Sequence, residues 1–244
     1  MPTRLGKRVV QRTLAAIRLA CVLALGLTGL AGIGGAAAMV SAAWGQPAAP
    51  AARPVPVEAV FDGDTCRLAG GARVRLAGID APELAHDGQP AQYYAAESKN
   101  ALSRLVAGAG VQFVGVGPGH DRFGRLLGDL LLPGGVSAAE RLVAEGAAFC
   151  FWFDDIPPPM QARLLAAQQR AMAAGKGFWP RLLALPAPPD PYVGNVASWR
   201  FHAPGCPDAA RIARRNRVLL PTLDEAFARG FAPARECTPW PTLR

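Results

Sequence analysis

Four short stretches of this chain hold residue types that suit chemistry on a phosphate ester. They are Phe61-Asp62-Gly63-Asp64-Thr65, the segment from Arg75 to Glu83, the turn Asp121-Arg122-Phe123-Gly124-Arg125, and the run from Gly146 to Phe153. Cleaving a phosphodiester needs a cation to neutralise charge, a base to ready a water, and donors to hold the extra negative charge of the transition state. Asp64 and Asp80 fall at the ends of neighbouring predicted strands, where both can converge on one hard cation such as calcium, whose preferred ligands are oxygens. Glu83 lies just beyond Asp80, across Pro82, within reach of a metal-side water as general base. Arg75 and Arg125 would approach from different directions, and two planar guanidinium groups so placed grip a phosphate bidentately.

Taken singly, each piece has a plainer reading. Asp62 and Asp64 around Gly63 are ordinary turn residues, and an arginine by itself is usually a solvated surface charge. Three pieces in one order with every charged role filled are a different matter. At these residues the sequence resembles the thermonuclease (staphylococcal nuclease) family over about residues 57–181, in the D-G-D-T strand, the R-x4-D-x-P-E segment and the D-R-F-G-R turn. The resemblance implies that Asp64 and Asp80 are ligands of one calcium ion, with the backbone carbonyl of Ala81 a third ligand and Glu83 acting through water. It makes Arg75, Arg125 and Glu83 the catalytic side chains, with Asp62 and Asp121 in secondary places. It further implies cleavage of DNA and RNA with little sequence preference, leaving 3′-phosphates. Two departures stand out: Ala81 replaces a common threonine, and of two stacking aromatics one falls at Trp152 while the other position is Asp154. Trp152 is therefore expected either to stack on substrate or to sit in the core.

The elements that would position these residues can be read locally. Val57 to Leu68 alternates as a strand, Gly70-Gly71 supplies a turn, and Arg73 to Ile79 alternates again, which together predict a hairpin. Helical spacing runs from Gln89 to Val106, followed by a strand at Val111 to Val116 and another at Leu126 to Leu132. Ser137, with Glu140 three residues on, predicts a capped helix. An apolar strand at Ala147 to Phe153 and a helix at Met160 to Ala174 complete the set. This order suits a mainly β plus α fold, a five-stranded Greek-key barrel of the oligonucleotide-binding (OB) type with helices, better than a parallel α/β sheet.

Bulk composition bounds the setting. The chain has 244 residues, is 51% hydrophobic and carries a formal charge of +8. That charge is unevenly spread: residues 54–191 hold 12 Lys/Arg against 14 Asp/Glu, and residues 192–244 hold 8 against 4. A slightly acidic catalytic part is a poor general polyanion binder, so chemistry there must rest on placed arginines and a bound cation. Residues 1–43, basic and then apolar, read as a signal peptide or an N-terminal membrane anchor, and residues 44–56 as a Pro/Ala linker. Both versions put the remainder outside the cytoplasm, secreted or periplasmic in one case and membrane-anchored in the other. Cys66 and Cys150 alternate with core positions and read as buried thiols.

A Pro-rich linker at 182–191 precedes a small basic tail, 192–244. The tail resembles the zinc-binding domain of Ada-type DNA-repair proteins, which closes with a C-x2-C pair. Here Ala234 stands for the first of that pair, leaving His202, Cys206 and Cys237. Structural zinc sites almost always use four protein ligands, so a Cys206–Cys237 disulfide is expected in place of bound zinc. The run Arg211 to Arg217 reads as a solvated face or as a sequence-independent hold on phosphates. The whole is read as an exported, calcium-dependent endonuclease acting on DNA and RNA, with no obligate protein partner evident and a tail dispensable for cutting. Two rivals remain: an OB-fold nucleic-acid-binding module with weak or no catalysis, and an envelope-anchored interaction protein whose tail does the work.

Overall fold

The computed structural model describes residues 53–241 except 87, 154, 236 and 239. The expected leader and Asp154 lie outside the described residues. Strands β1 (Val55–Val60), β2 (Thr65–Leu68) and β3 (Arg73–Leu76) form an antiparallel meander. Chain direction reverses at Gly70 and Gly71, both with positive φ, as such tight turns require. A short β4 (Ile79–Asp80) leads to helix α1 (Ala95–Val106), and then come the long β5 (Gly110–His120) and β6 (Leu126–Leu132).

Strand β6 pairs antiparallel with β5 and parallel with β3, and β5 returns to β1. The strand pairings thus run in the ring β1-β2-β3-β6-β5, the Greek-key order expected of the OB type. The β1–β5 side is the shortest, held by Val55 opposite Val111 and Pro56 opposite Gly110. Val74, Leu76, Val111 and Leu130 fill the interior, as the period-two alternation of a half-buried strand predicts.

After β7 (Val136–Ser137), helix α2 (Ala138–Ala144) is capped by Ser137, whose Oγ accepts from the Glu140 N–H at 3.0 Å. A short β8 (Phe149–Cys150) precedes α3 (Pro158–Ala173) and α4 (Trp179–Leu183). Helix α1 starts six residues later than the spacing predicts. Pro90 biases Gln89 away from helical backbone, and Tyr94 stands at φ 73° as the residue before the first helical turn.

The tail is a small sheet with short helices: β9 (Tyr192–Asn195), β10 (Arg200–His202), α5 (Pro207–Arg211), β11 (Arg217–Leu220), α6 (Leu223–Ala228) and β12 (Ala232–Pro233), in the order β11-β9-β10-β12. Its apolar face closes on the nuclease-like part. Phe149, Phe178 and Trp179 share one buried cluster with Tyr192, Phe201, Phe227 and Phe231. Trp179 meets Phe227 edge-on with ring centroids 5.0 Å apart, the geometry that aromatic quadrupoles favour. Gln168 of α3 ties the two further. Its Oε1 accepts from the Cys150 N–H and its Nε2 donates to the Phe227 carbonyl, both at 2.6 Å. Cys206 and Cys237 are joined as a disulfide, as expected, while Cys66 and Cys150 are free and buried. Among the described residues no helix is long and apolar enough to cross a membrane.

Candidate active site

The meander brings Asp64 beside Arg75. Thr65 pairs with Arg75 across β2 and β3, and the Leu76 N–H donates to the Asp64 carbonyl at 2.8 Å. Between Asp62 and Asp64 the chain must pass very close to its neighbours. A Cβ on Gly63 would lie 2.6 Å from that of Ala81 and 2.7 Å from that of Ser98, so only glycine fits there without displacement. Asp62 has a local role in that turn, its Oδ1 accepting from the Asp64 N–H at 3.0 Å. Strand β4 places Asp80 by pairing with β8, Asp80 opposite Phe149. Gly78, at φ +77°, makes the bend between Arg75 and Asp80.

Arg75 is the knot of the cluster. Its Nε lies 3.0 Å from Asp64 Oδ1, its Nη2 lies 2.8 Å from Asp80 Oδ1, and its Nη1 donates to the carbonyls of Leu76 and Ile79. With so many donors committed, this guanidinium first holds the two acids together and only secondarily faces the cleft. Asp64 Oδ2 accepts from the Ala81 N–H at 2.9 Å, joining the two acidic loops through the main chain. Burial pushes the Asp64 carboxyl up to about 8. Arg75 pulls it down, while Asp62 and Asp80 add to the rise.

Glu83 is positioned through its backbone, the N–H donating to Gln92 Oε1 and the carbonyl accepting from the Gln92 N–H, each at 2.8 Å. Arg125 sits at the far side of the turn that Asp121 organises. Asp121 Oδ1 accepts from the backbone N–H groups of Phe123 and Arg125, and its Oδ2 lies 2.7 Å from Arg125 Nε. Arg125 Nη1 also reaches Thr65 Oγ1 at 3.4 Å. Phe123 projects from this turn, 68% exposed, with the guanidinium carbons of Arg122 and Arg125 4.8 and 5.4 Å from its ring centre.

Asp62, Asp64, Arg75, Asp80, Glu83, Asp121 and Arg125 all line one cleft of about 890 Å³. The far wall of that cleft is the tail, through Asn195, Ser198, Arg200, Arg211 and Arg235 among others. Arg235 Nη2 lies 2.8 Å from Asp80 Oδ1, its Nη1 pairs with Glu83, and Arg200 Nη1 lies 3.7 Å from Asp80 Oδ2. These tail arginines are not legible as site residues in the sequence, because Arg235 reaches its partner across 155 residues. The local mark that Arg235 carries is its place two residues before Cys237.

Of the two alternatives for Trp152, the packing takes the core one, and the reading of the basic run is amended. Trp152 is a core residue, 5% exposed, with its indole against Gly230 of the tail. Its role as a stacking platform is not what the packing supports; Phe151 and Phe153 line the cleft instead. The basic run is partly structural, since Arg217 Nη2 donates to the carbonyls of Ala209, Ala210 and Ile212 and so caps the end of α5. His202 Nδ1 lies 3.6 and 3.5 Å from the sulfurs of Cys206 and Cys237, the three residues forming one cluster at the disulfide.

The donor set fits a hard divalent ion. Asp64, Asp80 and Glu83 offer oxygen only, and Asp80 Oδ2 is buried without a hydrogen-bond partner among the described residues. Arg200 Nη1, 3.7 Å away, is too far to hydrogen-bond it, and a buried carboxylate oxygen without a hydrogen bond is costly unless a cation serves it.

A family model described as staphylococcal nuclease homologue matches residues 73–181. An uncharacterized endonuclease of Escherichia coli is 32% identical over 133 residues, which is 53% of this chain and 78% of the relative. A probable staphylococcal-like nuclease of Oryza sativa subsp. japonica, CAN1, is 33% identical over 107 residues, 44% of this chain and 28% of that protein. A probable endonuclease of Komagataella phaffii, LCL3, is 29% identical over 115 residues, 43% of this chain and 48% of that protein.

Proposed function

Because this chain belongs to the staphylococcal nuclease family and is a nuclease, we propose that it is an exported, calcium-dependent endonuclease that cuts DNA and RNA with little sequence preference. The observation that carries the reading is the Asp64–Arg75–Asp80 knot, both ion pairs within 3.0 Å, in the same cleft as Glu83 and Arg125.

Asp64 and Asp80 would hold the cation, with the Ala81 carbonyl beside them and Glu83 acting through water. When bound, it supplies charge neutralisation at the phosphate oxygens. The protein's own groups do the rest. Arg75 fixes the spacing of the two acids. Arg125, held at the cleft wall by Asp121, offers donors to the phosphate as negative charge builds on it. Glu83 takes the proton from the attacking water, and departure of the 5′-oxygen leaves a 3′-phosphate. Phe123, exposed between two arginines, and Phe151 and Phe153 offer flat faces for unstacked bases.

Export is supported by the basic-then-apolar leader and by the Cys206–Cys237 disulfide, a bond that oxidising compartments sustain. Plasmid nicking in calcium and in chelator tests the proposal. Cutting that needs calcium, stops in chelator and yields 3′-phosphate ends supports it; undiminished cutting in chelator, or none in calcium, removes it.

A further inference from the structure

Arg235 reaches from the tail into the carboxylate cluster and bridges two of its members, Nη2 to Asp80 Oδ1 at 2.8 Å and Nη1 to Glu83 Oε1. Asp80 Oδ1 already accepts from Arg75 Nη2 at 2.8 Å. Two donors therefore occupy the two lone pairs of that oxygen. A calcium ion needs about 2.3–2.6 Å to each carboxylate oxygen; with Oδ1 filled by the two arginines a cation could reach Asp80 only through Oδ2, where it would meet the Arg235 charge held on the same carboxylate. The Asp80 side chain is 2% exposed, so water screens little of the repulsion between a guanidinium and a divalent ion crowded onto one carboxylate.

The backbone that carries Arg235 is held from several sides. Ala232 and Pro233 pair with Arg200 and Phe201, the Pro233 carbonyl accepts from Arg200 Nη1 at 2.9 Å, and the Ala234 N–H donates to the Phe201 carbonyl at 2.8 Å. Two residues further on, Cys237 is bonded to Cys206. These contacts tie residues 232–234 to the sheet, while the Arg235 side chain is 41% exposed and open to solvent on one side.

We infer that Arg235 is an internal cation for Asp80 and Glu83 that competes with the divalent metal. In the metal-free protein the tail guanidinium neutralises both acids and ties up the Glu83 carboxylate. Metal binding turns it out toward the cleft and frees Glu83. The tail thereby sets the calcium concentration at which the cleft becomes competent, a role separate from any grip on substrate. This rests on the calcium reading above.

The test is isothermal titration of calcium chloride into the full chain, as wild type, Arg235→Ala, Arg235→Gln and Arg235→Lys, each checked for a cooperative thermal melt. Removing the competitor should tighten calcium binding by about tenfold or more in the Ala and Gln forms. Lysine keeps the charge but cannot bridge both acids, and should fall between them and the wild type. If the Ala variant does not fold, the Gln and Lys forms carry the comparison. Equal or weaker binding in the variants overturns this inference and leaves the calcium reading standing. No calcium binding in any form overturns both.

Discussion

The side-chain amide of Gln168 joins the short strand β8 to helix α6 of the tail, accepting from the Cys150 N–H and donating to the Phe227 carbonyl, each at 2.6 Å. Gln168 is fully buried. The amide therefore serves two main-chain groups that have no water to turn to. Around it lie the aromatic rings that the two parts of the chain bury together.

Gln168→Leu should destabilise the protein by about 2–4 kcal/mol, since it strands one buried donor and one buried acceptor. Urea unfolding checks this, and a change below about 0.5 kcal/mol would show that the bridge is incidental. Deleting residues 192–244 should do more, exposing Phe149, Phe178 and Trp179. A soluble truncated form with an unchanged near-ultraviolet spectrum would refute that. The shared core thus revises the expectation that the tail is dispensable for cutting.

Arg75 and Arg125 should separate in their effects. Arg75 is the buried link between two acids, its side chain 12% exposed, and Arg75→Ala should cost about 3–5 kcal/mol of stability as well as rate. Arg125→Ala and Glu83→Gln should leave the melting temperature nearly unchanged and lower the cleavage rate by about 10²-fold or more. Parallel melts and single-turnover assays distinguish the two patterns.

Asp64 gives a pH dependence with a definite sign. Its carboxyl is raised from 3.8 to about 8 in the folded protein. An acid raised by folding contributes stability that is fully present below the unfolded value and is lost as pH rises through the folded one. Metal-free protein should therefore lose stability between about pH 4 and pH 8. Calcium requires the ionised carboxylate, so its binding should tighten over the same window and release a proton. Melting in chelator at several pH values, with Asp64→Asn as the variant that flattens the slope, checks the first part. Titrations in buffers of different ionisation enthalpy check the second.

Reduction should loosen the tail. The Cys206–Cys237 bond closes a separation of 31 residues, and removing such a cross-link costs about 3–4 kcal/mol in the chain-entropy view. Cys237→Ser should lower the melting temperature and remove its sensitivity to dithiothreitol. A melt indifferent to reductant in the parent protein would count against the bond.

The sequence by itself determined the barrel and the acidic pocket, because both are written in short-range signals. Alternation in β1 to β3, glycines at the reversals, the Ser137 cap and the spacing of Asp64, Arg75, Asp80, Glu83 and Arg125 each depend on a few neighbouring residues or on a resemblance carried by them. What only the tertiary structure decided is how the second part of the chain meets the first. Trp152 sits between Phe151 and Phe153, and a period-two pattern cannot say which ring is core until one knows that Gly230 covers the indole. Arg235 carries no local mark of its partners, since the field that draws it to Asp80 and Glu83 exists only once the tail's aromatic face has docked. Hydrophobic burial sets that docking, and electrostatics then fixes which side chain fills the cleft.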